Sequence, residues 1–363
     1  MSNAFDPNAA APEDSGIFGL PHTPDESRVV LIPVPFDATT SYRAGTANGP
    51  RAILAASRQV DLFDIELGKI YEDGIAMLPE PEDLRLMNDR ARVHAEKILA
   101  VGGDIAQHRT LAESLHAVND ASASMNAWVK RETTRWLDAG RTVGVIGGDH
   151  SVPLGSIRAH ASKYPELGVL HFDAHADLRA GYEGFRYSHA SIMHNVLHEV
   201  PNVARIVQVG VRDLCEEEYW AIQRSNGRVV PYYDANLKRA ARLGETWHSI
   251  AERVVETLPH DVYVSFDIDG LDPTLCPHTG TPVPGGLSLD QALAVIEMVA
   301  GTGRRIVGVD MKEVAPNAHD PDDEWDGNVA ARLLYKLIGW TLKSQGPLQQ
   351  RSAHVRTDYD IKD

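Results

Sequence analysis

The chain has 363 residues, 43% of them apolar, which is enough for one large α/β domain or for two or three smaller ones. A formal charge of −16 argues against nucleic acid as a partner, because such a balance repels phosphate backbones, and it suits a cationic substrate. No run of about 18 apolar residues is present to span a membrane, and the acidic start MSNAFDPNAAAPEDSG lacks the basic and apolar segments of a secretory signal.

Residues 1–27, rich in Ala, Pro, Asp, Glu and Ser, read as a flexible N-terminal arm. VVLIPVPFD (29–37) is an apolar strand ending at prolines, followed by the Gly-rich loop TTSYRAGTANGP and a helix opened near Pro50. Helical spacing runs over 87–119 and again over 121–140, up to Gly140. From there strands and helices alternate. The predicted strands are 142–148, 167–175, 204–211, 228–234, 261–270 and 304–314. The predicted helices are 151–164, 190–200, 216–225, 246–258, 288–301 and 329–343. Short apolar strands alternating with amphipathic helices imply an α/β domain over 28–345, its mainly parallel sheet covered on both faces, and 346–363 reads as a polar C-terminal tail. The two cysteines, Cys215 and Cys276, form no C-x-x-C pattern, so thiols in a reducing cytoplasm are expected.

Acidic and histidine residues concentrate where strands end. GGDHS places His150 after the strand at 142–148, HFDAHAD places Asp173, His175 and Asp177 after the next, and SFDID places Asp267 and Asp269 at the end of 261–270. In a parallel sheet these ends share one side, where ligands bind. Residues i and i+2 of an extended segment face the same way, so Asp173 pairs with His175, and Asp267 with Asp269. Four carboxylates so close repel one another unless cations intervene. A single such pair is common in turns; three at neighbouring strand ends point to metal. The oxygen-rich set suits Mn²⁺, and imidazole also admits Ni²⁺, Fe²⁺ and Zn²⁺.

The blocks GGDHS (147–151), DAHAD (173–177), SFDIDGLDP (265–273), GTPVPGGL (280–287) and EVAP (313–316), with YSHAS (187–191), resemble those of the ureohydrolases: arginase, agmatinase and their relatives. The resemblance covers nearly the whole chain outside its tails. It implies a three-layer α/β/α arginase-type fold, assembled as trimers or hexamers, and two divalent ions. His150 and Asp177 would hold one ion, His175 and Asp269 the other, with Asp173 and Asp267 bridging. It implies hydrolysis of a guanidino C–N bond to urea by a water activated between the ions, with His189 moving protons or orienting substrate, and Glu313 gripping the guanidinium. The plainer alternatives are that His189 caps the following helix and that Glu313 makes a surface ion pair. Asp149 is expected to support the turn or to brace a metal histidine.

On the substrate, the loop DAHADLRAGYEGFRYSHAS differs from that of arginases, and Arg179 follows the last ligand as a substrate-binding candidate. The block at 39–64, the long arm and LCPHTGTPVPGG (275–286) look closest to the guanidine and metformin hydrolase-like subgroup, which is associated with Ni²⁺. His278 would narrow the pocket, or else stand in a solvent-exposed loop. Tyr182, Phe185 and Trp220 are candidates to line the pocket, or packing residues. The expectation is therefore a guanidine or biguanide substrate with Ni²⁺. The alternatives are agmatine or an ω-guanidino acid with Mn²⁺, or a non-catalytic partner in a mixed oligomer with a related subunit.

Overall fold

The computed structural model describes residues 5–346. The strands are β1 (Val29–Pro33), β2 (Ile75–Met77), β3 (Thr142–Ile146), β4 (Leu167–Phe172), β5 (Val203–Val209), β6 (Val229–Tyr232), β7 (Asp261–Asp267) and β8 (Arg305–Lys312). The helices are α1 (Gly49–Ser57), α2 (Glu82–Leu99), α3 (Ala112–Asp138), α4 (Leu154–Lys163), α5 (Ile192–Glu199), α6 (Glu216–Arg224), α7 (Asp234–Arg242), α8 (Trp247–Glu256), α9 (Leu289–Gly301) and α10 (Trp325–Ser344). The strands form one sheet in the order β2-β1-β3-β8-β7-β4-β5-β6, and every neighbouring pair is parallel.

Alternation along the strands explains the three layers. Val29 and Leu31 of β1 join a core built with α1, α8, α9 and α10. Val30 and Ile32 point the other way, onto α2 and α3. In β4, Leu170 and Phe172 face the first core, and Val169 packs with α4 and α5 on the opposite face. With both faces buried, the strands read as continuous apolar runs. Helix ends are fixed locally: Ser288 and Gln291 form a reciprocal capping box that opens α9, and the Thr246 hydroxyl accepts from the Ser249 N–H to open α8.

The chain leaves β4 toward β5 on one side, whereas β7, its other neighbour, leads to β8 on the opposite side. The strand order thus reverses between β4 and β7, and a crevice opens at their carboxyl ends. Both ligand-bearing segments, 173–177 and 267–269, leave from that point.

Several elements depart from expectation. The break between the long helices falls at 100–111, where Gly102 and Gly103 take positive φ, and not near residue 120. β2 is three residues long, too short to show a period, and α7 buries only Asp234 and Leu237, leaving little apolar signal. The arm expected to be flexible is anchored at residues 17–20: Ile17, Phe18 and Leu20 are buried, the Phe18 ring lies 4.8 Å from that of Tyr335, and the Phe18 N–H donates to Ser57 Oγ at 2.9 Å. Apart from residue 346, the proposed C-terminal tail lies outside the described residues. No helix among the described residues is long and apolar enough to cross a membrane.

Candidate metal centre

Asp173 sits at the centre of the crevice, one residue past β4, and its two oxygens face different groups. Oδ2 lies 2.9 Å from His150 Nδ1 and 2.8 Å from His171 Nε2. Oδ1 accepts the His175 backbone N–H at 2.6 Å and lies 3.3 Å from His175 Nδ1. Around His150 Nδ1 gather Asp177 Oδ2 and Asp267 Oδ2, each at 3.2 Å. Around His175 Nδ1 stands Asp269 Oδ2, at 3.1 Å. Two donor clusters therefore share one carboxylate, which is the arrangement two adjacent cations require. The six residues expected as ligands converge, and all but His175 are almost fully buried.

Local backbone geometry sets these positions. Gly147 and Gly148 both take positive φ, and a Cβ on Gly148 would lie 2.4 Å from the Phe36 carbonyl oxygen, so only glycine lets the chain turn into His150. After β7 the chain closes a 3-10 turn, with Asp267 Oδ1 accepting the Asp269 N–H at 2.9 Å. Asp269 Oδ1 in turn accepts the Ala174 N–H at 3.0 Å, joining the two ligand segments. Asp177 and Glu313 have φ of 54° and 58°, a region non-glycine residues rarely occupy, and the surroundings hold them there.

The electrostatics suit cations. Burial, then the Asp173 charge, lifts the Asp177 carboxyl to about 7. Burial, with Asp269 and Asp173, pushes Asp267 well above the usual carboxylate range. Burial, with Asp267 and Asp149, does the same to Glu313. Asp177, Asp267 and Glu313, buried carboxylates that resist ionisation beside one another, would be relieved by divalent ions, and the donor set of imidazole and carboxylate fits them.

The cluster forms the floor of a cavity of about 200 Å³ whose walls include Ser41, Arg179, Tyr182, His189, Asp213, Leu214, Thr281 and Glu313. Glu313 Oε1 accepts the His150 backbone N–H at 2.8 Å, so Oε2 is the oxygen free for a ligand. The His189 backbone N–H donates to Thr39 Oγ1 at 3.1 Å, and the Thr39 hydroxyl donates to Asp149 Oδ2 at 2.8 Å. Asp149 thus supports the turn, through Ser151, and positions His189 as well. Burial, then the nearby His175, lowers His189 to about 4, so its ring is a neutral proton acceptor. The helix cap considered for His189 is supplied instead by Ser188, whose Oγ accepts the Ala190 N–H.

Arg179 lines the cavity, its guanidinium 4.8 Å from the centre of the Tyr182 ring and its Nε 3.7 Å from Glu218. His278 does not line it: Asp326 Oδ2 holds its Nδ1 at 2.8 Å and Asp326 Oδ1 accepts its backbone N–H at 3.0 Å, turning the residue toward α10. Phe185 is packed in a core under α2 and α3, and Trp220 is exposed on α6; of the three aromatic candidates Tyr182 alone reaches the cavity wall. Sequence reasoning missed His171, which stands one step outside D-x-H on the buried strand and reads there as a core residue. It also missed Ser265, whose hydroxyl lies 3.0 Å from His150 Nε2 and donates to Asp310 Oδ1 at 3.2 Å.

Comparison with known proteins agrees with this geometry. Residues 27–339 match the family model described as "Arginase family". The N(1)-aminopropylagmatine ureohydrolase of Thermus thermophilus is 34% identical over 342 residues, covering 93% of this chain and 99% of the relative. An agmatinase of Bacillus anthracis is 29% identical over 321 residues, covering 87% and 93%. Among solved structures, the agmatine ureohydrolase of Thermoplasma volcanium superposes with a TM-score of 0.69 at 24% identity, covering 91% of this chain and 95% of that one.

Proposed function

The chain belongs to the arginase family, metal-dependent hydrolases of C–N bonds, and on that premise we propose that it hydrolyses an agmatine-like guanidino compound to urea and an amine. The observation that carries this reading is the shared carboxylate: Asp173 presents one oxygen to the His150 cluster and the other to the His175 cluster, on the floor of a cavity that also holds Glu313.

His150, Asp177, Asp173 and Asp267 would hold one divalent cation, and His175, Asp269, Asp173 and Asp267 the other. Ions bound there would supply an activated water near neutral pH and electrostatic stabilisation of the attacked group. Glu313 Oε2 accepts N–H groups of the guanidinium and fixes its plane over the floor. His189, neutral and at the cavity wall, takes up a proton and delivers it to the departing amine, which is a poor leaving group until protonated. Leu214 and Tyr182 offer apolar surface to a methylene stem, and the exposed Asp213 carboxylate at the wall suits a distal ammonium.

The expectation of free guanidine or a biguanide is not carried forward. It rested on likeness in the arm, 39–64 and 275–286, with His278 narrowing the pocket, and His278 is bound to Asp326 outside it. The names of the relatives support the agmatine alternative. The expectation of Ni²⁺ belonged to the guanidine reading; a donor set with four carboxylates and two imidazoles suits Mn²⁺. Arg179 at the wall is the one feature that favours a distal carboxylate, hence an ω-guanidino acid as the second reading.

The test is a panel. Protein loaded with Mn²⁺ or Ni²⁺ is assayed for urea from agmatine, N(1)-aminopropylagmatine, guanidinobutyrate, arginine, guanidine and metformin, with metal content measured in parallel. Agmatine or its aminopropyl derivative should give the highest kcat/KM with two ions per chain. Faster turnover of guanidine or metformin overturns the substrate, and fewer than two ions at full activity overturns the centre.

A further inference from the structure

A His171 ring nitrogen and donor atoms of His150, Asp173 and Asp177 lie within 4.8 Å of one another, close enough to share an ion, yet the proposed mechanism gives His171 no task. Its surroundings settle whether it is a ligand. The Gln208 side chain, fully buried on β5, has its amide nitrogen 2.7 Å from the Ala176 carbonyl oxygen and 3.0 Å from His171 Nδ1. A backbone carbonyl only accepts, so the amide end facing Ala176 must be NH₂; the opposite flip would set two carbonyl oxygens against each other. The second hydrogen of that NH₂ points at His171 Nδ1, which must then accept. A neutral imidazole with one accepting nitrogen carries its proton on the other, so Nε2 is the donor, and Asp173 Oδ2 lies 2.8 Å away to receive it. A protonated ring nitrogen has no lone pair to give a metal.

We propose that Gln208 and His171 form a positioning relay for the bridging carboxylate: Gln208 fixes the tautomer of His171, and His171 holds Asp173 while staying outside the coordination sphere. Two further observations support it. Gln208 Oε1 is buried without a partner, a penalty the fold accepts while keeping the amide nitrogen where it is. Ala176 lies between His175 and Asp177, so the same NH₂ ties the ligand segment to the strand beneath it. With His171 on Oδ2 and the His175 N–H on Oδ1, each oxygen of Asp173 has one lone pair occupied by a protein donor and one left over, which orients the carboxylate to span two cations.

The second half of the inference rests on the two-cation reading; the tautomer does not, and the experiment separates them. Full-length protein labelled with ¹⁵N-histidine is studied by NMR, metal-free and loaded with diamagnetic Zn²⁺, with His171 assigned by its loss in His171→Asn. The expected result is a protonated Nε2 and an unprotonated Nδ1 in both states. A protonated Nδ1, or an Nε2 that becomes metal-bound on loading, overturns the proposal. In parallel, Gln208→Met, which keeps the bulk and removes both donors, should keep its fold by circular dichroism and lose roughly 10- to 100-fold in Mn²⁺ affinity. Wild-type affinity in folded Gln208→Met refutes the relay. The NMR result on the unmutated chain decides the tautomer even if that variant does not fold. Absence of any metal binding by wild type, with the expected tautomer intact, would count against the centre and leave the Gln208–His171 arrangement standing.

Discussion

Replacing Glu313 by glutamine tests the role of its free oxygen, and the structure sets both the sign and the size of the effect. Glu313 Oε1 already accepts the His150 N–H at 2.8 Å. In Glu313→Gln the amide oxygen must keep that bond, because an NH₂ there would meet another donor. The NH₂ then occupies the place of Oε2 and faces a substrate whose guanidinium offers donors alone. Loss of one hydrogen bond to a charged group costs about 1.5–3 kcal/mol, or roughly tenfold to 150-fold in kcat/KM, and the opposed donors push the loss to the upper end. Urea release from agmatine with excess Mn²⁺ measures it, with kcat and KM separated. Because the contact exists before the reaction begins, most of the loss should fall on KM. Glu313→Asp keeps the charge and retracts it by one methylene, so it should be impaired less. A glutamine variant with wild-type KM would show that Oε2 does not meet the substrate.

Three further outcomes are expected. Asp173→Asn puts an amide where both clusters need an anion, so urea release should fall roughly a hundredfold or more and bound metal should drop below two ions per chain; two ions with normal turnover refutes the sharing. His278→Ala should leave the agmatine KM unchanged, since the ring lies outside the cavity, while unpairing Asp326 Oδ2 lowers stability by about 1–3 kcal/mol in denaturant titrations; a changed KM would return His278 to the substrate site. Burial holds His160 at about 4, below its ordinary 6.5. The unfolded chain therefore takes up that proton first, and stability falls as pH drops from about 6.5 to 4, by about 3 kcal/mol across the window. His160→Gln should flatten the dependence of Tm on pH there, and an unchanged slope refutes the assignment.

The clustering of the candidate ligands was legible because each stands at or just past the end of a strand, and the pairs Asp173/His175 and Asp267/Asp269 follow a two-residue spacing that survives the turn. His150 was legible because GGDH allows a strand only a sharp exit. What the sequence concealed depends on contacts between strands. His171 and Gln208 meet across β4 and β5, and Ser265 and Asp310 across β7 and β8; each reads as an interior position until the neighbouring strand is known. His278 misled for the opposite reason. It is nine residues from Asp269 in sequence, but Asp326 on α10 captures it before it can turn toward the cavity. The anchored arm was hidden because its polar composition outweighed three apolar residues, Ile17, Phe18 and Leu20, that dock on the core.

The strand order constrains how the molecule comes to exist. β8 lies between β3 and β7, and without it the sheet is two pieces: β2-β1-β3, which leads into His150, and β7-β4-β5-β6, which carries the other five candidate ligands. Since β8 is the last strand to be made, a growing chain keeps two apolar edges open until residue 312 is available. Half-finished chains therefore have neither a closed sheet nor an assembled candidate ion site, and any cation bound there would gain full coordination only after nearly the whole polypeptide has emerged. Chaperone dependence and metal supply during expression should thus bear on the same late step.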